Sequence, residues 1–329
     1  MLSRRMFHCI MGVMKPSVSV LMPVYRNKDS LSRAVDSLLN QDYDGKIDIV
    51  MMVDDAKDGT LEEARRLKDL HPEQIQVITG EEPFYLGGAR KEGIPYLKGD
   101  LIYSLDADDE MLPGAMKLLV DTLLSLNADL VNAGFYEVVG KRKKRYFYKK
   151  YQVFDKYKGL HALLHDTYFR SFLWAKLYRR ELLENRPFAI LQGKGVMFED
   201  LSYCASLLLG AKKVVTIEDP VIKYYQDVAT SSSTEKRNDR TLRHLSAFLL
   251  TRMLFEKSGD VQAIKAFYKH RSRAYWSIFY DLGRDIKAGA DPHYVLKMKS
   301  YYRKIFHNKK PFQLEGTPFE ELLRDAFIA

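Results

Sequence analysis

Residues 101–110 read Leu-Ile-Tyr-Ser-Leu-Asp-Ala-Asp-Asp-Glu, and this stretch decides the fold. Its first half, 101–105, is an apolar run too short for a helix, so it reads as a buried strand. The strand runs directly into the carboxylates Asp106, Asp108 and Asp109. Three similar runs lie upstream, at 17–24 (interrupted by Pro23), 47–53 and 76–79. Between them, helical spacing predicts helices over 29–40, 60–70 and 87–97. Leu31, Ala34, Val35, Leu38 and Leu39 mark the buried face of the first, with Asp29 or Ser30 as its cap. Strands and helices alternating at this pace predict a βαβ series around a mostly parallel sheet. Ligands of such sheets sit at the carboxyl ends of the strands. The residues to inspect are therefore Tyr25, Asp54-Asp55 and Asp106 to Asp109.

Three carboxylates within four residues repel one another unless a cation lies between them. Mn²⁺ or Mg²⁺ suits the place, because hard cations take one or two carboxylates together with substrate phosphates. A solvated acidic turn leading into a helix explains the same residues, and taken alone it is the commoner explanation. Asp54-Asp55, followed by Asp58-Gly59-Thr60, is placed to accept hydrogen bonds from a ribose or base, or simply to cap a helix. Leu86-Gly87-Gly88-Ala89-Arg90-Lys91 joins two glycines, a helix start and two cations, a combination suited to a diphosphate. The chain has no P-loop and no Gly-Xaa-Gly-Xaa-Xaa-Gly after its first strand, which argues against nucleotide hydrolysis and dinucleotide binding.

Beyond residue 130 the pattern changes. Residues 130–139 and 145–154 read as two strands about a basic turn near Gly140, from Lys141 to Arg145. The basic, aromatic stretch 141–150 suits anionic headgroups or a lipid-linked diphosphate, a single-stranded nucleic acid, or plain solvent. His161 and His165 share a helix face, read as amphipathic rather than metal-binding. Ser231-Ser232-Ser233 and the charged run after them read as a linker. From about Thr241 the chain is helical, with Leu242, Leu245, Phe248 and Leu249 on one face. Ile264 to Phe279 reads as a second helix. Hydrophobic residues at 46% and charged residues at 29% fit a globular protein with a full core. The net charge of +9 is compatible with phosphorylated, lipid or nucleic-acid partners. Cys9 and Cys204 form no disulfide framework and point to a reducing compartment. Residues 1–14 are expected to be an unstructured leader, and no run is long enough to span a bilayer.

The elements Pro23-Val24-Tyr25, Leu38-Leu39-Asn40-Gln41, Val53-Asp54-Asp55, Gly88-Ala89-Arg90 and Leu105-Asp106-Ala107-Asp108-Asp109 occur in the order found in family 2 glycosyltransferases. The resemblance is close over 17–133 and resumes at Trp174 to Leu182 and at Phe198-Glu199-Asp200. It implies an α/β chain with a GT-A-type, Rossmann-like mixed sheet flanked by helices and a C-terminal helical extension. It implies a catalytic domain over 15–230, its donor half 15–133 and acceptor half 134–230, and a helical region over 231–329. It also implies inverting transfer from a nucleotide sugar, with a UDP-sugar expected, to a glycan or lipid-linked acceptor with Mn²⁺ or Mg²⁺. Pro23 and Tyr25 would line the base pocket, Asp55 would accept from the base, and Gly88 and Arg90 would lie near the nucleotide. Asp106 would face the ribose, Asp108 would hold the metal and Asp200 would be the general base. Glu199, Trp174, Lys176 and Tyr225 are expected on the acceptor side. Lys91 and Ala175 stand where the family commonly has Asn, and the usual Gly-Ser after the paired aspartates is missing. A sugar nucleotidyltransferase and an inactive basic membrane- or nucleic-acid-binding scaffold are the competing readings. The expected setting is cytoplasmic, at the inner face of a membrane, with nucleic acid not a partner. The C-terminal helices suit packing on the catalytic domain, homodimer formation or membrane contact.

Overall fold

The computed structural model describes residues 15–146, 151–184, 187–194, 196–226, 238–270, 272–307 and 312–328. The expected leader, Phe147 to Lys150 of the basic stretch and Ser231 to Ser233 lie outside the described residues.

The first seven elements alternate as the sequence predicts: β1 (Val18–Val24), α1 (Leu31–Leu39), β2 (Ile47–Val53), α2 (Thr60–Leu70), β3 (Ile75–Ile78), α3 (Tyr85–Gly93) and β4 (Leu101–Ser104). The helix expected to reach residue 97 tightens into a 3₁₀ turn at Ile94–Tyr96, where Pro95 has no N–H to continue it. After β4 come β5 (Glu110–Met111), α4 (Ala115–Ser125), β6 (Leu130–Val139), β7 (Arg142–Tyr146), β8 (Gln152–Phe154) and α5 (Lys156–Leu164). These are followed by β9 (Lys176–Arg179), β10 (Phe188–Ala189), α6 (Glu199–Gly210) and β11 (Val214–Tyr225). The C-terminal part is α7 (Arg240–Lys257), α8 (Val261–His270), α9 (Ser272–Lys287), α10 (Pro292–His307), α11 (Pro318–Leu323) and β12 (Phe327–Ile328).

The main sheet has the order β3-β2-β1-β4-β9-β6-β11-β5, with β7 on β6 and β8 on β11. One half of it, β3-β2-β1-β4, is wholly parallel. The antiparallel β9 between β4 and β6 makes the whole sheet mixed. Side chains of β1 and β2 alternate between two apolar bodies. Val20, Met22, Val24, Ile49, Met51 and Val53 pack with α1, α2 and α4. Leu21, Val50 and Met52 face the opposite body. Burial on both faces explains why these strands read as unbroken hydrophobic runs. The second body continues without interruption from the sheet through Leu208 of α6 to Phe248, Phe267, Ile278 and Phe306 of the C-terminal helices. Each such side chain contributes roughly 1.5–3 kcal/mol by leaving water. The helical region is thus cemented to the sheet.

Three expectations are corrected. The basic run from Lys141 to Arg145 is mostly strand, since Arg142–Tyr146 pairs antiparallel with β6 and the turn is at Gly140, with φ of 56°. Tyr146 holds that strand by stacking on Phe135, centroids 4.9 Å apart, while its basic neighbours face water. The strand expected over 145–154 is divided, because Gln152–Phe154 pairs with β11 instead. The helix expected from Ile264 to Phe279 is two helices, α8 and α9, each with its own apolar face in the second body.

The two adjacent glycines of α3 differ sharply in surroundings. A Cβ at Gly87 would overlap the Leu191 carbonyl oxygen, whereas one at Gly88 would meet only Phe84 Cβ, at 3.8 Å. Gly87→Ala should therefore destabilise the fold by about 1–3 kcal/mol in urea melts. Gly88→Ala should leave the melting curve nearly unchanged.

Candidate functional site

Pairing of β1 with β4 stops at Leu21 opposite Ser104, while β1 and β2 stay paired to Val24 opposite Val53. The sheet therefore opens into a crevice past the end of β4. Pro23 lies in the length of β1 that has outrun β4, and Tyr25 follows at 51% exposure. The two aspartates after β2 divide their work. Asp54 accepts hydrogen bonds from the backbone N–H groups of Phe84 (2.7 Å) and Tyr85 (2.8 Å), which fixes the start of α3. Asp55 is exposed, and its carboxylate turns to the backbone and ammonium of Lys57, which hold its pKa below the usual carboxylate range. Gly88, in the first turn of α3, is buried, with only Phe84 Cβ within 4 Å of where its own Cβ would lie.

Arg90 is the centre of the site. Its guanidinium is 4% exposed. One nitrogen donates to Asp106 Oδ1 at 3.1 Å and another to Glu199 Oε1. Asp106 lies two residues past the end of β4 and Glu199 begins α6, so this one side chain of α3 ties the turn after β4 to the start of α6. Burial pushes the Glu199 carboxyl up, and Arg90 opposes that rise.

The acidic turn sits beside this link. The Asp109 N–H donates to the Asp106 carbonyl at 3.0 Å, closing the turn. Asp109 is fully buried; its Oδ1 accepts from the Tyr225 N–H at 3.0 Å and its Oδ2 has no partner. Burial, reinforced by Asp108 and Asp106, holds the Asp109 carboxyl well above its usual range. Burial and the charge of Asp106 push Asp108 up to about 6. Among the described residues, no three carboxylate, imidazole or thiolate groups converge as a ready-made metal cage. The site is instead rich in uncompensated negative charge with few protein oxygens aimed at one point. That donor set suits a hard cation completed by phosphate oxygens and water.

Two residues that sequence reasoning missed contact this turn and Asp200. Arg33 of α1 donates to the Asp108 carbonyl at 2.6 Å and lies over the Tyr225 ring at 4.2 Å. Ser171 donates to Asp200 Oδ2 at 3.3 Å. Neither belongs to a motif, and only the tertiary fold brings them in. Asp200 follows Glu199 in the first turn of α6. Burial raises its carboxyl, while Arg90, Ser171 and Lys176 pull it down. A carboxylate poised in this way can take a proton from a hydroxyl.

The remaining expected acceptor-side residues lie deeper. Lys176 is 1% exposed; its ammonium donates to the Phe172 carbonyl and lies 4.8 Å from the Phe169 ring centroid, and burial lowers its pKa. Trp174 is 4% exposed and stacks between Phe172 (4.4 Å) and Tyr224 (5.0 Å). Tyr225 is half-buried, and its hydroxyl donates to Glu110 at 2.9 Å. His161 and His165 stack on each other, with ring centroids 4.5 Å apart.

Comparison with known proteins agrees with this geometry. Residues 19–202 match the family described as Glycosyl transferase family 2, more than half of the chain. A processive diacylglycerol beta-glycosyltransferase of Mycoplasma pneumoniae is 26% identical over 71% of this chain and 71% of its own length. A cholesterol galactosyltransferase of Borreliella burgdorferi is 25% identical over 78% of this chain and 72% of its own. Among solved structures, S. aureus TarS residues 1–349 in complex with UDP-GlcNAc superposes with a TM-score of 0.58 at 14% identity. That match covers 87% of this chain and 92% of TarS 1–349. The mannosyltransferase PcManGT of Pyrobaculum calidifontis, solved with GDP-Man and Mn²⁺, reaches 0.50 at 17% identity, covering 90% of this chain and 84% of its own. The structural likenesses establish the GT-A-like fold. The chain belongs to glycosyl transferase family 2.

Two predictions follow from the charges. Asp108 titrates at about 6 when folded, against 3.8 as its unperturbed value. The folded state therefore holds this proton more tightly, and stability falls as pH rises from about 4 to 6. Without a cation, thermal melts should show lower stability at pH 7 than at pH 5. Added Mn²⁺ with UDP should restore it at pH 7 only, and Asp108→Asn should make the slope shallower, leaving the part due to the raised Asp109, Glu199 and Asp200 carboxyls, and should remove the Mn²⁺ effect. Arg90→Met should cost about 3–5 kcal/mol in urea melts, because it strands Glu199 and Asp106 without their cation.

Proposed function

We propose that this family 2 glycosyltransferase moves a sugar from a UDP-sugar to a hydroxyl of a lipid or lipid-linked glycan, with inversion at the anomeric carbon. The observation that carries the reading is the Arg90 bridge, which joins Asp106, just past β4, to Glu199 at the start of α6, where Asp200 follows. Tyr25 and Pro23 flank the base, and Asp55 accepts its N–H. Gly88 lets the diphosphate approach the start of α3, whose backbone N–H groups favour an anion. Asp106 faces the ribose. Asp108 would hold Mn²⁺ or Mg²⁺, and such an ion would supply positive charge to offset that of the departing diphosphate. Asp200 accepts the proton of the acceptor hydroxyl as that oxygen attacks the anomeric carbon, and the bond from that carbon to the phosphate oxygen breaks on the opposite side. Arg90 keeps Glu199 engaged, so that Asp200 is the carboxylate of the pair left for the acceptor. Arg33 and Tyr225 steady the backbone of the acidic turn.

A lipid acceptor is supported by the two curated relatives, whose names specify diacylglycerol and cholesterol. A uridine nucleotide is supported by the TarS complex. Membership of the glycosyltransferase family decides against the nucleotidyltransferase reading. No helix among the described residues is long and apolar enough to cross a membrane, so an enzyme of this kind would meet a lipid acceptor from the membrane surface.

The purified chain, offered a panel of nucleotide sugars with Mn²⁺ and a lipid extract, should release UDP from one donor and label a lipid-soluble product. Asp200→Asn should lower transfer by at least about a hundredfold while UDP binding persists. Release of no nucleotide from any donor, together with no UDP binding, would sink the reading. Full activity of Asp200→Asn would remove Asp200 as the base.

A further inference from the structure

The C-terminal helices bury most of their apolar residues, but α9 does not bury all of them. Trp276 is 66% exposed, Phe279 53%, Tyr280 65% and Ile286 50%, and Leu296 of the neighbouring α10 is 64% exposed. Their spacing along α9 places Trp276, Phe279, Tyr280 and Ile286 on one outward face. The helices α9 and α10 adjoin, with the Phe279 ring 6.3 Å from that of the buried Tyr302. Exposed cations surround it: Arg284 and Lys287 on α9, and Lys297, Lys299, Arg303 and Lys304 on α10. The acids of α9 face inward. Asp281 is 4% exposed and holds His244 and Arg240, and Asp285 is fully buried against the N-terminus of α7. Among the described residues from 274 to 307, Asp291 is the single exposed carboxylate.

We propose that this aromatic and basic face of α9 and α10 seats the protein on the surface of an anionic lipid bilayer. Tryptophan and tyrosine have an apolar body and a polar tip, which suits the boundary between headgroups and acyl chains. The Arg284 guanidinium lies over the Tyr280 ring at 4.7 Å, so charge and ring reach the same surface together. Lysine and arginine beside the aromatics meet anionic headgroups. A second copy fits this face poorly. A two-fold contact would set the same cations against themselves with almost no carboxylate to offset them. The proposal rests on the lipid-acceptor reading for its purpose, but membrane seating requires no transfer.

The chain contains two tryptophans, and Trp174 is buried, so a change in tryptophan emission on binding reports Trp276. The full-length protein should be sedimented with phosphatidylcholine vesicles with and without phosphatidylglycerol, at low and high salt. Expected are a preference of about tenfold or more for the anionic vesicles, loss of that preference at high salt and a blue shift in emission. The combined change Trp276→Ser, Phe279→Ser and Tyr280→Ser should lower binding about tenfold with little change in melting temperature, since these side chains are exposed. If that protein is unstable, Lys297→Glu with Lys299→Glu and Arg303→Glu provides the second variant, with the same expected loss. Equal binding to neutral vesicles, no binding, or binding unaffected by either set would overturn the proposal. So would a dimer in solution that the serine variant dissolves. No donor is present in these mixtures, so a failure here leaves the transfer assay to judge the catalytic reading separately.

Discussion

A buried guanidinium must be paired, and Arg90 is paired twice, to carboxylates more than ninety residues apart in the chain. That requirement fixes the site. β4 cannot shift against α6 without leaving Arg90, Asp106 or Glu199 with a bare charge in a low-dielectric interior. An arginine remains charged under all ordinary conditions, so titration does not loosen the link. The acidic turn after β4 and the start of α6, the places proposed for donor and base, are thereby held in one relation. Such preorganisation matters more to a displacement reaction than the strength of any single contact.

The same site carries unrelieved cost. Asp108 and Asp109 are raised because burial and mutual repulsion oppose their charges, and one oxygen of Asp109 has no partner. Backbone strain collects nearby as well. Arg26, Lys57, Tyr85, Ala175 and Phe198 have positive φ without being glycine, and they adjoin Tyr25, Asp55, α3, Lys176 and Glu199 respectively. Each such residue costs on the order of 1–3 kcal/mol and persists only where the surrounding packing dictates it. Ala175 is instructive, because the family commonly has Asn at this position, and Asn tolerates φ near the 58° seen here better than Ala does. The two apolar bodies around the sheet outweigh these costs. Ligands that bring positive charge or fill the crevice relieve part of them.

How much of this was legible in the chain varies with the kind of interaction. The ranges of β2 and α2 could be read directly, because both faces of β2 are buried and α2 has one clean apolar stripe. Asp54 and Asp55 could be read as a pair but not told apart. Only the position of α3 shows that Asp54 serves the Phe84 and Tyr85 N–H groups while Asp55 points away. The resemblance located Arg90 near the nucleotide, yet its charge partners come from β4 and α6, and no local pattern encodes that meeting. Arg33 and Ser171 escaped for the same reason. The basic run from Lys141 to Arg145 reads as a turn because its composition says nothing of register. The stack of Tyr146 on Phe135, a contact between strands, is what makes it β.

The C-terminal helices lie outside the stretch that matches the family, yet they bear on the base. Phe198 immediately precedes Glu199 and has a φ of 63°, a conformation that a bulky residue holds only under constraint. The constraint comes from α7, because the Phe198 ring stacks on His244 with centroids 4.4 Å apart. His244 is in turn held by Asp281 of α9, Nδ1 to Oδ2 at 2.9 Å. The start of α6, and with it Glu199 and Asp200, is therefore gripped from two sides: by Arg90 of α3 and by the His244–Asp281 pair of α7 and α9. The helices α7 and α9 are thus part of what orients the proposed base, although neither needs to touch the sugar.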